Sequence, residues 1–289
     1  MTPGDPSDAG ARAGVGGAVS GTGGRTGAGG AGEGGIGAGG TGVGGTRVPG
    51  TGGTPTDAGR DAATGADYPP SAGKPTVYLA GDSTVSTYTA AQAPQQGWGQ
   101  RLQELFTSDV VIVNRALGGR SSKSFIDEGH LAEILAVIKP GDYLLAQWGI
   151  NDRSVAGPDR ATDPATTFRT YLRQYIDGAR AKNAIPVLVT PTPRHQFNNG
   201  VFENGFPAYC AAIIAVGAET NTPVIDLQAK GLAYYTSIGD ARVISTIILN
   251  GTDPLHFNME GAFQMARLVA QGVLELQLPI SPFVIQAKL

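Results

Sequence analysis

The chain predicts an α/β protein, a three-layer αβα sandwich built on a five-stranded, mostly parallel sheet. Three observations carry that expectation. From residue 75 onward, short β-branched runs alternate with helical stretches at least five times. Those runs are continuously apolar, as in strands buried on both faces, rather than alternating apolar with polar. Finally, the composition divides the chain. Of 44 glycines, 25 fall within residues 1–70, leaving 19 for the remaining 219 positions. The glycine-rich part has too few large apolar side chains to offset its ordering entropy. Residues 1–72 therefore read as a disordered Gly/Ala/Thr-rich tether, and 73–289 as one domain with a substantial core.

The elements follow in order. Val77–Ala80 is a buried strand running into the polar turn Gly81-Asp82-Ser83-Thr84. GWGQRLQELF is a short amphipathic helix and DVVIVNRA a second strand. HLAEILAVIK is helical and stops at Pro140-Gly141. DYLLAQWG is a third strand, ending in Gly149-Ile150-Asn151-Asp152. A long helix follows, with Asp163 as expected N-cap and Pro164 in its first position. IPVLVTPTPR is a fourth strand, GFPAYCAAIIAVGAETN a helix, PVIDL a fifth strand, and NMEGAFQMARLVAQGVLEL a closing helix.

Several function classes are excluded early. Net charge is −3 with no dense Lys/Arg block, which argues against a nucleic-acid or anionic-membrane partner. No apolar run is long enough to span a bilayer. Cys210, the single cysteine, rules out an internal disulfide or a cysteine-rich zinc site. The opening MTPGDPSDAG shows no signal peptide and by itself reads as cytoplasmic. The glycine-rich tract, however, resembles the spacer of a secreted or cell-surface domain. Nothing suggests an obligate oligomer, so a monomer is expected.

In parallel sheets ligands bind at the carboxyl ends of the strands, so the chemistry should lie in the turns after them. Ser83 follows the first strand, and its alternative reading is a turn or N-cap serine. Asn114 to Ser121 follows the second. There Gly118-Gly119 lets backbone N–H groups approach a ligand, or makes an ordinary tight turn. Asn151 follows the third, where a neutral amide could donate to an oxyanion or simply close an Asx turn. Asp253 and His256 precede the closing helix. Their three-residue spacing lets a carboxylate orient an imidazole that accepts a nucleophile's proton. Metal ligation competes, but no third and fourth ligand stand at a recognisable spacing.

These four blocks, in this order, resemble the GDSL-type SGNH hydrolases: GDS with Ser83, the glycine turn with Gly119, GxND with Asn151, and DxxH with Asp253 and His256. The resemblance implies a flavodoxin-like fold and a Ser83–His256–Asp253 triad. It also implies an oxyanion hole from Ser83, Gly119 and Asn151, with no metal or other cofactor. GDST, the string N-x-x-x-x-G-R-S and the pair Gln147-Trp148 are similar to the rhamnogalacturonan acetylesterase branch in particular, with Gly118 where alanine is expected. That branch implies an acetylated pectic substrate. A broad carboxylesterase or lysophospholipase on the same scaffold is the second reading, and a non-catalytic carbohydrate-binding module the third.

Arg120, Trp148, Arg194 and His195 are candidate substrate contacts. Arginine suits a carboxylate and tryptophan a pyranose face, although Trp148 equally suits the core. Trp98 is undecided. His130 reads as structural, and Cys210 as a buried free thiol.

Overall fold

The computed structural model describes residues 73–289 apart from Ser154 and Ala156. The tether expected over 1–72 lies outside the described residues. Among the described residues, in chain order, the elements are β1 (Thr76–Ala80), α1 (Trp98–Arg101), β2 (Val111–Asn114), α2 (Ser122–Asp127), α3 (His130–Val137), β3 (Tyr143–Gln147), α4 (Thr167–Ala181), β4 (Ile185–Val189), β5 (Phe197–Asn198), β6 (Val201–Phe202), α5 (Pro207–Glu219), β7 (Val224–Ile225), α6 (Leu227–Ile238), α7 (Asp240–Thr246), β8 (Ile248–Leu249), β9 (Asp253–Phe257) and α8 (Met259–Glu275).

Five of these strands form one sheet in the order β2-β1-β3-β4-β7, every neighbour parallel. Register lines up Leu79, Leu145 and Val187 across the middle of the sheet. Because side chains alternate along a strand, these residues point to one face while Ala80, Ala146 and Leu188 point to the other. Each face buries its own core. The first packs on α8 through Ala262, Met265, Ala266 and Val269, together with Trp98. The second packs on α2 to α5 through Phe125, Leu131, Phe168, Leu172 and Ile213. Two apolar faces are why β3 and β4 are buried at every position.

Local structure departs from the sequence reading in several places, among them the helices α2, α6 and α7, where no helix was expected. The long helix begins at Thr167, not at Pro164. Residues before it form a separate turn, in which the Asp163 carboxylate accepts from the Ala165 N–H and the Thr167 hydroxyl accepts from the Asp163 N–H. The amphipathic stretch at 98–105 is α1 followed by a 3-10 turn over Leu102–Leu105. Finally, Asp253 and His256 lie just before α8 as expected, but on a strand, β9, which pairs antiparallel with β8.

Candidate active site

The turn after β1 is built around Asp82. Val85 and Ser86 both donate their N–H to its carbonyl at 3.1 Å, which swings the chain through one tight turn and leaves Ser83 at its crest. The Tyr88 hydroxyl donates to the Ser83 carbonyl at 2.8 Å. Behind the serine runs a buried chain of donors. Trp98 Nε1 donates to Gln147 Oε1 at 2.8 Å, Gln147 Nε2 donates to Thr84 Oγ1 at 2.7 Å, and the Thr84 hydroxyl donates to Asp82 Oδ1 at 2.8 Å. Trp98 is therefore a core residue with a polar task.

Burial raises the Asp82 carboxyl from an ordinary 3.8 up to about 6, against the lowering effect of the hydrogen bonds from Thr84. Its Oδ2 makes no hydrogen bond. Because the folded-state value is the higher one, the folded chain keeps a proton that the unfolded chain has lost between about pH 4 and 6. The contribution to stability is therefore greatest below that window and declines as pH rises through it. Measured by denaturant unfolding, the free-energy gap between wild type and Asp82→Asn should move against wild type by about 2–3 kcal/mol from pH 4 to 7.5. A gap that stays constant would refute the assignment.

The second turn lies over the first. Leu117 donates its N–H to the Gly81 carbonyl at 3.0 Å, and Asn114 Nδ2 donates to the Val85 carbonyl at 2.7 Å. A Cβ on Gly118 would stand 3.7 Å from Ser83 Cβ. Gly119 has φ +79°, and Arg160 Nη1 donates to its carbonyl at 3.1 Å, which fixes the peptide.

Asn151 follows Gly149, whose φ is +118° and whose missing Cβ would strike Pro191 and Tyr209 at 2.9 Å. Asn151 Nδ2 donates to the Arg120 carbonyl at 3.1 Å, which binds the third turn to the second. The neighbouring Asp152 organises both. Its Oδ2 accepts from the Gly149 N–H at 2.9 Å. Its Oδ1 accepts from the N–H and the hydroxyl of Ser122 and from the Thr162 hydroxyl. Burial pushes this carboxyl up to about 7, and those hydrogen bonds oppose it. Sequence reasoning took Asp152 only as part of a turn, although its place beside Asn151 was the available signal.

Asp253 and His256 arrive on the β8–β9 hairpin. Asp253 Oδ1 accepts from the N–H groups of Leu255 and His256 at 2.9 and 3.1 Å. Burial raises this carboxyl, but those two bonds and the imidazole outweigh it and hold Asp253 below the usual carboxylate range. Asp253 Oδ2 lies 2.7 Å from His256 Nδ1, and His256 Nε2 lies 2.9 Å from Ser83 Oγ. An ionised carboxylate can only accept, so Nδ1 carries the proton and Nε2 is free to accept from the serine hydroxyl. The relay is open to solvent, with the His256 side chain 26% exposed.

The structure thus brings Ser83, Gly119, Asn151, Asp253 and His256 to one end of the sheet. The other candidates separate. Trp148 is corrected: it is fully buried, its ring 5.2 Å from Phe125 and 5.5 Å from Tyr175, so it belongs to the core and offers no sugar-facing surface. Arg120 pairs with Glu128 at 2.8 Å and meets the site through its carbonyl. His195 Nε2 lies 2.7 Å from Asp240 Oδ1, and its N–H donates to the Pro254 carbonyl at 2.6 Å, so it braces the hairpin. Arg194 runs its stem along Gly205. His130 packs on Phe125 and pairs with Glu128. Cys210 is buried and free, and burial raises its thiol to about 11, so it is no rival nucleophile. Arg153 was missed; it lies over the Phe206 ring with its Nε donating to the Ile150 carbonyl at 3.0 Å.

A hydroxyl on an imidazole, the imidazole on a carboxylate, and three backbone-rich turns around the hydroxyl are the equipment of a serine hydrolase acting on esters. The comparisons agree. The model of the GDSL-like Lipase/Acylhydrolase family matches residues 79–262. A Bacillus subtilis (strain 168) protein named "Probable rhamnogalacturonan acetylesterase YesY" is 47% identical over 214 residues, covering 73% of this chain and 98% of that one. Rhamnogalacturonan acetylesterase RhgT of the same strain is 40% identical over 216 residues, covering 71% and 91%. The crystal structure of the B. subtilis protein YxiM superposes with a TM-score of 0.65 at 34% identity, covering 71% of this chain and 58% of that one. The chain belongs to the GDSL-like lipase/acylhydrolase family and is a carboxylic ester hydrolase.

Proposed function

We propose that the chain removes acetyl groups from a pectic polysaccharide of the rhamnogalacturonan type. The observation that carries the chemistry is the Ser83–His256–Asp253 relay, at 2.9 and 2.7 Å. Its similarity to two acetylesterases over nearly their whole length supports the substrate. Ser83 Oγ attacks the ester carbonyl carbon as its proton passes to His256 Nε2, while Asp253 stabilises the imidazolium. The oxyanion is received by the N–H groups of Ser83 and Gly119 and the amide of Asn151. Collapse expels the sugar alkoxide, which takes the proton from His256. Water, deprotonated by the same imidazole, then releases acetate and restores Ser83.

Asn151→Ala should lower kcat by about 10²–10³, the usual effect of losing one oxyanion donor, with little change in KM. Steady-state kinetics on p-nitrophenyl acetate checks it, and a change confined to KM would remove Asn151 from the oxyanion role.

The substrate is tested by acetate release from a panel of acetylated pectins, xylans and chitin oligomers. Rhamnogalacturonan should be the best of them. On p-nitrophenyl esters, turnover should fall from acetate toward octanoate; a rise toward octanoate would favour a broad carboxylesterase or lysophospholipase. The open relay favours a polymer laid across the surface over an acyl chain threaded into a groove. A polymeric substrate also places the work outside the cytoplasm, at the cell surface or beyond it, and cell fractionation tests this. The proposal takes the enzyme as a monomer, a state that light scattering measures.

A further inference from the structure

Two guanidinium groups border the site, and no step of the ester chemistry uses them. Arg153 stands two residues beyond Asn151, its Cζ 5.1 Å above the centre of the Phe206 ring and its Nε on the Ile150 carbonyl. Arg194 approaches from the loop after β4. Its stem lies where a Cβ on Gly205 would be, at 2.6 and 2.7 Å, so only glycine lets it lie flat against that segment. Its Nε is buried and makes no hydrogen bond. The next residue, His195, holds the Pro254 carbonyl on the catalytic hairpin. The two arginines therefore flank Gly205-Phe206, Arg153 beside the Asn151 turn and Arg194 beside the residue that holds the catalytic hairpin. Beneath them Phe206 packs with Ile150, Cys210 and Leu255 in a small apolar cluster of its own.

The electrostatics of this pair are unfavourable as they stand. Burial, and then the like charge of Arg194, lower the pKa of the Arg153 guanidinium. Among the described residues, Arg101, Arg120, Arg169 and Arg173 each meet a carboxylate within 4 Å. Arg153 and Arg194 are not among them. Two adjacent cations without a protein counter-ion repel, and an anion lodged against both would relieve the repulsion. Planar guanidinium forks match the two oxygens of a carboxylate.

We propose that Arg153 and Arg194 form a carboxylate-binding subsite for a uronosyl residue of the polymer. The choice of a uronosyl ligand rests on the pectic reading above; the cationic site does not. It makes the enzyme selective for an acidic polymer through binding rather than through the chemical step.

The test uses oligogalacturonate as a competitive inhibitor of p-nitrophenyl acetate hydrolysis, with a neutral galactan oligomer of equal length as the control. For the wild type, Ki for oligogalacturonate should be at least about tenfold lower than for the neutral oligomer, and the advantage should shrink as salt rises. In Arg194→Gln and Arg153→Gln the ratio of the two Ki values should collapse toward one, whatever happens to the variants' own turnover. Arg194→Lys should restore part of it. Equal Ki values for the two oligomers in the wild type overturn the subsite without any variant having to fold. A ratio that survives both glutamine substitutions overturns the assignment to these residues. Acetate release from pectin without discrimination by charge would sink the subsite and leave the pectic function standing. Charge discrimination with no acetate released from any pectin would do the reverse.

Discussion

Ser83→Ala is expected to lower kcat on p-nitrophenyl acetate by about 10⁴-fold or more while leaving thermal unfolding nearly unchanged. Removing a triad nucleophile from a serine hydrolase costs up to about 10⁶ in turnover, and what remains comes from the oxyanion donors and binding. Stability should hold because the turn does not depend on the Ser83 hydroxyl. Its shape comes from Val85 and Ser86 bonding to the Asp82 carbonyl and from Tyr88 bonding to the Ser83 carbonyl, which alanine retains. The hydroxyl itself bonds to His256, a partly exposed imidazole that can turn to water in its place. Turnover within tenfold of wild type would remove Ser83 from the chemistry. A large fall in Tm alongside lost activity would leave its role unproven and its structural importance established.

His256→Ala should be nearly as severe, at about 10⁵–10⁶-fold, whereas Asp253→Asn should cost less, about 10⁴-fold. The difference follows from what each substitution leaves behind. Alanine at 256 removes the only group in the relay able to take the serine proton. Asparagine at 253 keeps a side-chain oxygen for the Leu255 and His256 N–H groups, so the β9 backbone is preserved. It presents an amide, however, where His256 Nδ1 needs an acceptor, which favours the wrong tautomer and no longer stabilises the imidazolium. Matched kcat values for the two variants, or a larger loss in Asp253→Asn, would contradict these roles.

The parallel sheet was legible because strands buried on both faces are continuous apolar runs, and all five appear where those runs stand. The reactive residues were legible because the sheet carries each block to one edge, and the order of the blocks survives in the chain. What escaped depends on tertiary contacts. The β5–β6 and β8–β9 hairpins have strands as short as two residues, too short for periodicity to register. The start of α4 is displaced because Asp163 serves a turn, and the preceding Thr162 is tied to Asp152 through both its N–H and its hydroxyl. Trp148 suited a pyranose face or the core by residue type alone, and its ring turns inward between Phe125 and Tyr175. Arg153 carried no local pattern at all. Its interest comes from Arg194, forty-one positions later in the chain, and from the aromatic ring beneath it.

The hairpin has a consequence for how the enzyme can fail. Base and orienter share one short strand and hold each other through its backbone, while the nucleophile belongs to the sheet. The relay therefore has a single seam, the bond between Ser83 and His256. If the two-stranded β8–β9 ribbon lifts, Asp253 and His256 leave together as an intact dyad, but its Ile248 and Phe257 are buried in the same core as the sheet, so that core is exposed with them. Loss of activity on heating or in denaturant should then coincide with the melting of that shared core rather than precede it.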